Sequence, residues 1–221
     1  NIIKAGFPLT GFDLRDERLK LLEELGGTPA SNVADVGVNS DTVFVMVLNG
    51  KQALDVVAGD KGLKASMKPG STIIISATIE PSEVREVEAA LAGSGIEMID
   101  TPVSGGKSGA ENGTLAMMAA AKQEVFDAQK DVLEAVGGNI FHVGEEIGMG
   151  QTVKASLQAL IGSTFTAIFE SLVLGSKAGI PGRTLYEVFT ASGVRSPLLE
   201  GCAKLIMDRE FKDTGSHIGT M

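Results

Sequence analysis

From Phe7 to about Val143 the apolar positions fall into short runs separated by longer stretches with helical spacing. Six runs predict strands, at 8–14, 42–47, 72–76, 96–100, 115–120 and 140–143. Several are almost continuously apolar, as expected of strands covered on both faces. Between them, spacings of three and four predict helices at 16–25, 52–58, 82–92 and 123–136. This alternation predicts a Rossmann-like α/β fold, a doubly wound and mainly parallel sheet. The pattern changes at Gly148. From there the chain reads as helices alone: one long helix at 150–178, stopped by Gly179-Ile180-Pro181, then helices at 183–192 and 197–208. The predicted organisation is an α/β domain over 1–147, feeding a long interdomain helix into an all-α domain over 148–221.

Both ends read as interrupted. Residues 1–6 have the pattern of a helix closing at Gly6, and 215–221 carries no recognisable element. A first strand with its glycine loop is expected to precede Asn1, and the helical domain reads as incomplete. The stretch 157–180 is the most apolar, but Glu170 and several Ser and Thr residues interrupt it. It is read as a buried helix of a soluble protein rather than a membrane span.

Composition narrows the classes of function. A formal charge of −9 over 221 residues disfavours a nucleic-acid or anionic-membrane surface, either of which needs a basic field. It leaves room for a small anion, because local backbone donors outweigh a distant net charge. Cys202 is the single cysteine, which rules out an intrachain disulfide and makes a reducing, cytoplasmic setting the default. Its context, Glu200-Gly201-Cys202-Ala203, reads as packing within a helix.

Three segments carry candidate chemistry. Asp13 ends the first predicted strand, where a dinucleotide fold holds ribose hydroxyls, although an Asp there also suits a helix N-cap. The glycine fingerprint that would decide lies about 20 residues upstream of such an acid. The second segment, Asp100-Thr101-Pro102-Val103-Ser104-Gly105-Gly106-Lys107-Ser108-Gly109-Ala110, opens a Gly-rich loop at a strand's carboxyl end. It reads as an anion nest or a flexible turn. The third is Lys154. It lies on one helical line with Leu157, Ile161, Phe165, Ile168 and Leu172, near a helix N-terminus that disfavours a cation. A partly apolar setting there lowers a lysine's pKa, as an acid/base group requires, whereas a snorkelling side chain keeps an ordinary one. His142 and His217 match no metal spacing, and no metal site is expected. Met117-Met118 reads as core. No nucleophile elbow or Walker loop is present.

Together these segments resemble the β-hydroxyacid dehydrogenase family, which includes the 3-hydroxyisobutyrate, tartronate-semialdehyde and L-threonate dehydrogenases. The resemblance runs along the whole chain. Its most specific part is Asp100-Thr101-Pro102-Val103-Ser104-Gly105-Gly106 with Gly109-Ala110 and Gly113-Thr114-Leu115, which is similar to the family's substrate-binding signature. Gly148-Met149-Gly150 with Lys154 is similar to its catalytic-lysine segment.

The resemblance implies an NAD(P)-dependent oxidoreductase acting on a small hydroxyacid. In it Lys154 is the catalytic acid/base, and Ser104, Gly105, Gly106 and Gln158 bind substrate. Asp13, Val47, Leu48, Gln52 and Thr78 bind the cofactor. NADP-preferring members carry Asn-Arg-Thr where Asp13 stands, so NAD is expected and NADP remains possible through Arg15. Most members place Asn three residues after the lysine, where this chain has Leu157. That departure opens an alternative, reduction of an imine or aldehyde-acid. A further alternative is an NAD-binding module without catalysis. The apolar face of the long helix predicts a homo-oligomer.

Overall fold

The computed structural model describes residues 1–210; the closing segment 215–221 and His217 lie outside the described residues. In chain order the elements are β1 (Thr10–Gly11), α1 (Asp16–Glu24), β2 (Thr28–Pro29), α2 (Val33–Val38), β3 (Thr42–Val45), α3 (Gly50–Ala58), α4 (Leu63–Ser66), β4 (Thr72–Ile75), α5 (Pro81–Ala90) and β5 (Glu97–Asp100). They continue as β6 (Val103–Ser104), α6 (Gly106–Asn112), β7 (Leu115–Ala120), α7 (Gln123–Ala128), α8 (Lys130–Glu134), β8 (Gly137–Gly144), α9 (Met149–Lys177), α10 (Gly182–Thr190) and α11 (Pro197–Met207). Residues 1–6 form turns that close at Gly6 rather than an assigned helix.

The chain divides into two compact units, 1–154 and 155–221, so the boundary falls inside α9. In the first unit, β3, β4 and β5 pair in parallel, with Val45 level with Ile75 and Ile75 level with Asp100. β7 runs antiparallel to the end of β5 and to β6, and parallel to β8. The sheet is therefore mainly parallel, with two reversed strands, β7 and β8. Alternation along the strands sends Ile73 and Ile75 into one core with Val57 of α3 and Val84 and Val87 of α5. Ile74 and Ile99 enter the opposite core with Met117, Val125 and Leu133. Helices thus cover both faces, which explains the uninterrupted Thr72-Ile73-Ile74-Ile75 run.

β1 and β2 form a separate parallel pair, with Thr10 level with Thr28. The expected strand at 8–14 shrinks to two residues because only Thr10 and Gly11 find a partner. A cavity of about 1490 Å³ lies between this pair and β3, lined on one side by residues 7–15 and on the other by 39–48. The predicted helix at 123–136 is two helices, broken at Gln129. That side chain turns away to accept from the Thr42 hydroxyl at 2.8 Å and donate to Thr72 Oγ1 at 3.2 Å.

In the second unit, Ile168 and Leu172 of α9 pack with Leu185 of α10 and with Leu199 and Ala203 of α11. The expectation of a buried α9 is corrected. Leu160 is 65% exposed and Leu174 is 74% exposed in the single chain. The helix has the length and composition of a membrane span, with a mean hydropathy of 1.5 over its most apolar window. Its two buried apolar residues, Ile168 and Leu172, belong to the three-helix core and form one stripe of the helix. Cys202 lies in α11 among this cluster's partly buried side chains, and burial raises its thiol pKa.

Candidate active site

The carboxyl ends of β4 and β5 and the first turn of α9 meet at one buried carboxylate. Asp100 closes β5 and is fully buried. Its Oδ2 accepts from the Gly148 N–H at 3.0 Å and the Gln151 N–H at 3.2 Å, and its Oδ1 accepts from Gln151 Nε2 at 2.8 Å. The first N–H groups of a helix have no partner within it. Here a strand residue far off in sequence supplies the acceptor. Burial raises the Asp100 pKa, and the hydrogen bonds from Gln151 and Gly148 pull against that shift.

Gln151 extends the network to a third segment. Its Nε2 also donates to the Ala77 carbonyl at 3.0 Å, and its Oε1 accepts from the Ile79 N–H at 3.1 Å. The amide therefore grips the chain on both sides of Thr78, which is itself exposed. β4 has just ended there, and the loop runs on into α5, capped by Glu80 and Glu83 in a reciprocal box.

Lys154 stands one turn beyond Gln151, in the same unit as Asp100 and Thr78. It is only 7% exposed, and burial lowers its pKa from the ordinary lysine value. No acidic residue contributes to that shift, so a neutral amine is accessible without a paired carboxylate. Gly150 brings the helix against the strands: a Cβ there would stand 2.4 Å from the Met118 carbonyl oxygen and 2.7 Å from that of Asp100.

The Gly-rich segment begins at Asp100, so the two motif segments are physically joined by the Asp100 hydrogen bonds to Gly148 and Gln151. Ser104 ends β6 and pairs with Ala116. Gly105 and Gly106 then turn at φ +131° and +60°, conformations that side-chain-bearing residues rarely adopt, and both are exposed. The turn leads into α6, which went unrecognised in the sequence because Gly106-Lys107-Ser108-Gly109 has weak helix propensity. Gln158 is half-buried on α9, one turn past Lys154, and belongs to the second unit.

Four of the five expected cofactor residues, Asp13, Val47, Leu48 and Gln52, line the large cavity; Thr78 does not. Gln52 shapes the loop after β3: its Oε1 accepts from the Leu48 N–H at 2.9 Å, while Asn49 caps α3 by accepting from the Gln52 N–H. Leu48 is thereby held in a tight turn and remains 76% exposed. Asp13 is engaged by its neighbour. Arg15 donates to it from the backbone N–H and Nε, both to Oδ1 at 3.0 Å, and from Nη2 to Oδ2 at 3.0 Å. These bonds hold the Asp13 pKa below the usual carboxylate value. A carboxylate has about four acceptor positions, so Asp13 retains capacity for a ribose hydroxyl, but its charge is locally matched.

The lining follows β3 along its whole length, from Thr42 to Val45, and includes Asp13 from the facing segment. Among the described residues no group of three His, Cys, Asp or Glu side chains converges on a common point. His142 is structural: it stacks on Phe126 and its Nε2 lies 2.7 Å from the Ala121 carbonyl.

Asp100 and Gln151 were not singled out by sequence reasoning. Each bond between them joins residues 51 positions apart. The only local signal was that Asp100 opens the Gly-rich segment and Gln151 follows Gly150.

Comparison with known proteins agrees with this architecture. Residues 1–144 match the family described as the NAD binding domain of 6-phosphogluconate dehydrogenase. Residues 148–221 match that described as NAD-binding of NADP-dependent 3-hydroxyisobutyrate dehydrogenase. The chain is 36% identical to an L-threonate dehydrogenase of Escherichia coli over 95% of this chain and 70% of that protein. It is 33% identical to 2-(hydroxymethyl)glutarate dehydrogenase of Eubacterium barkeri over 96% of this chain and 70% of that protein. A solved 3-hydroxyisobutyrate dehydrogenase of Salmonella typhimurium superimposes with a TM-score of 0.84 at 30% identity, covering 96% of this chain and 74% of that one. The chain belongs to the β-hydroxyacid dehydrogenase family of NAD(P)-dependent oxidoreductases.

Proposed function

We propose that this chain carries out reversible hydride transfer between a small hydroxyacid and a nicotinamide cofactor, with Lys154 as the acid/base group. The observation that carries the reading is the buried Lys154 on a helix whose first turn is tied through Asp100 to the Gly-rich segment. A bound nicotinamide supplies or accepts the hydride. In the reducing direction the Lys154 ammonium donates a proton to the substrate's carbonyl oxygen. In the oxidising direction the neutral amine takes the hydroxyl proton. Burial lowers its pKa from the ordinary lysine value, which eases loss of the proton from the amine. Ser104 with the Gly105 and Gly106 backbone holds the substrate carboxylate, and Gln158 adds a polar contact.

Asp13, Val47, Leu48, Gln52 and Thr78 are the residues that hold the cofactor. Asp13 favours NAD over NADP, because its charge opposes a 2′-phosphate. Arg15 weakens that preference by matching the charge, so NADP is accepted as well. The protein is a soluble cytoplasmic homo-oligomer in this reading. Support comes from the exposed apolar side chains of the helical unit, Leu160, Leu174 and Val188 among them. The functional domains are those read from the sequence, 1–147 for cofactor and 148–221 for substrate and assembly.

Leu157 stands three residues after Lys154, where the family resemblance implies Asn, which favours testing imines as a second substrate class. A panel of small hydroxyacids, aldehyde-acids and cyclic imines with both cofactors separates these readings. The expected outcome is NAD-linked oxidation of a hydroxyacid. Turnover of imines alone would replace the hydroxyacid reading, and NADH binding without any turnover would point to a non-catalytic module.

A further inference from the structure

Gln151 is 1% exposed, and its amide makes three side-chain hydrogen bonds. Both amide hydrogens are donated, one to Asp100 and one to Ala77, and the oxygen accepts from Ile79. Asp100 in turn takes Gly148, the Gln151 backbone and the Gln151 side chain onto one carboxylate. Three segments converge on this pair: the loop that exposes Thr78, the start of the Gly-rich segment, and the first turn of α9.

Burying a charge costs several kcal/mol unless hydrogen bonds compensate it. Capping a helix requires much less, since a Ser or Asn at the N-cap satisfies the same orphan N–H groups. The chain instead caps α9 from β5 and locks the cap with an amide that also grips the loop after β4. Apolar packing permits small slides along a helix axis, whereas hydrogen bonds of fixed direction define one register. The lysine lies three residues past Gln151, a rise of about 4.5 Å at ~1.5 Å per residue, so the register set at Gln151 is inherited by Lys154.

We propose that Asp100 and Gln151 form a positioning clamp that sets the Lys154 amine relative to the Thr78 loop and thereby governs the chemical step rather than ligand affinity. The inference rests on Lys154 being the acid/base group. Both clamp residues are buried, Asp100 at 0% and Gln151 at 1% exposure. They act through where the amine stands, with the Thr78 loop as the fixed reference.

A double-mutant cycle tests it in the full protein. Asp100→Asn keeps the shape but turns an NH₂ toward N–H donors. It is expected to lower kcat about 10–100-fold, the scale of an ångström-sized displacement of a reacting group, while KM and the NADH dissociation constant stay within about twofold. Gln151→Met removes the side-chain bonds and leaves the Asp100-to-backbone bonds, so a smaller loss of about 3–10-fold is expected. In a Lys154→Ala background, neither substitution should lower the residual single-turnover rate any further, because the group they position is gone. If Asp100→Asn leaves kcat within twofold, or lowers the residual rate of Lys154→Ala by the same factor as it lowers the wild type, the clamp serves folding alone and the proposal is overturned. Should Asp100→Asn fail to fold, the Gln151→Met arm gives the same decision. Wild-type turnover in Lys154→Ala by itself would instead overturn the lysine reading, and the clamp with it.

Discussion

Gly150 is the point at which the start of α9 meets the sheet, and Gly150→Ala measures how tightly that meeting is set. Two opposing effects can be weighed. In an unconstrained helix the change is favourable by about 1 kcal/mol, because alanine loses less backbone freedom. Here the new Cβ would stand 2.4 Å from the Met118 carbonyl oxygen, 2.7 Å from the Asp100 carbonyl oxygen and 2.9 Å from Asp100 Oδ2. Ordinary contact begins at 3.4 Å, so the closest approach is short by about 1 Å. The two nearest atoms are strand backbone in the centre of the sheet, which cannot rotate away as a side chain would. Overpacking of this kind costs about 1–3 kcal/mol and exceeds the propensity gain. The helix start must move out by an amount close to the overlap, carrying Lys154 with it. Displacement on that scale costs about 10² in rate. The expected variant is therefore destabilised by up to about 2 kcal/mol in urea titration, has kcat lowered about 30–100-fold, and binds NADH almost normally. A variant as stable as the wild type with kcat within twofold would refute the reasoning, because α9 would then be free to shift without consequence for the site.

Other consequences are open to measurement. Lys154→Met should stabilise the protein at pH 7 by about 0.5–2 kcal/mol. Because burial lowers the Lys154 pKa, the unfolded chain binds more protons between that lowered value and 10.5, and native stability rises with pH across the window. The advantage of methionine should accordingly shrink as pH approaches 10.5, and a pH-independent difference in urea midpoints would contradict the assignment. Arg15→Ala leaves the Asp13 charge unmatched and should move the ratio of NADH to NADPH affinity toward NADH by about twofold to fivefold, the small effect expected of an exposed pair. An unchanged ratio in fluorescence titration would remove Arg15 from the cofactor edge. Gln129→Ala unties the α7–α8 break from Thr42 and Thr72 and should cost about 1–2 kcal/mol, read from the urea midpoint; an unchanged midpoint would remove Gln129 from the packing of this break.

The parts of the fold that announced themselves are those in which local pattern and tertiary setting agree. The runs that became β3 and β4 are almost continuously apolar because both faces of those strands are covered. The line through Leu157, Ile161, Phe165, Ile168 and Leu172 marked the inward stripe of α9, whose Ile168 and Leu172 join the helical core. The elements that stayed hidden depend on partners distant in sequence. β2 is two exposed residues that pair only with β1. Gln129 breaks a continuous helical pattern because Thr42 and Thr72 lie within its reach. α6 forms from a glycine-rich stretch packed beneath Leu115.

Within the site, Lys154 was visible through its place on a stripe and its spacing from Gly148-Met149-Gly150. The Asp100–Gln151 pair that holds the helix start was not. A buried acceptor serving a helix 48 residues downstream leaves no periodic trace. The Arg15 grip on Asp13 shows only in the three bonds that join the two residues.

The assignment of chemistry to this scaffold rests on Lys154. Lys154→Ala, assayed for hydroxyacid oxidation with NAD and for NADH binding by fluorescence, tests it most directly. Loss of a positioned acid/base group lowers the rate by about 10²–10⁴, and NADH affinity should remain within about twofold because none of the cofactor residues is touched. Turnover at the wild-type rate in this variant would contradict the lysine's role and require the proton to be carried by another group.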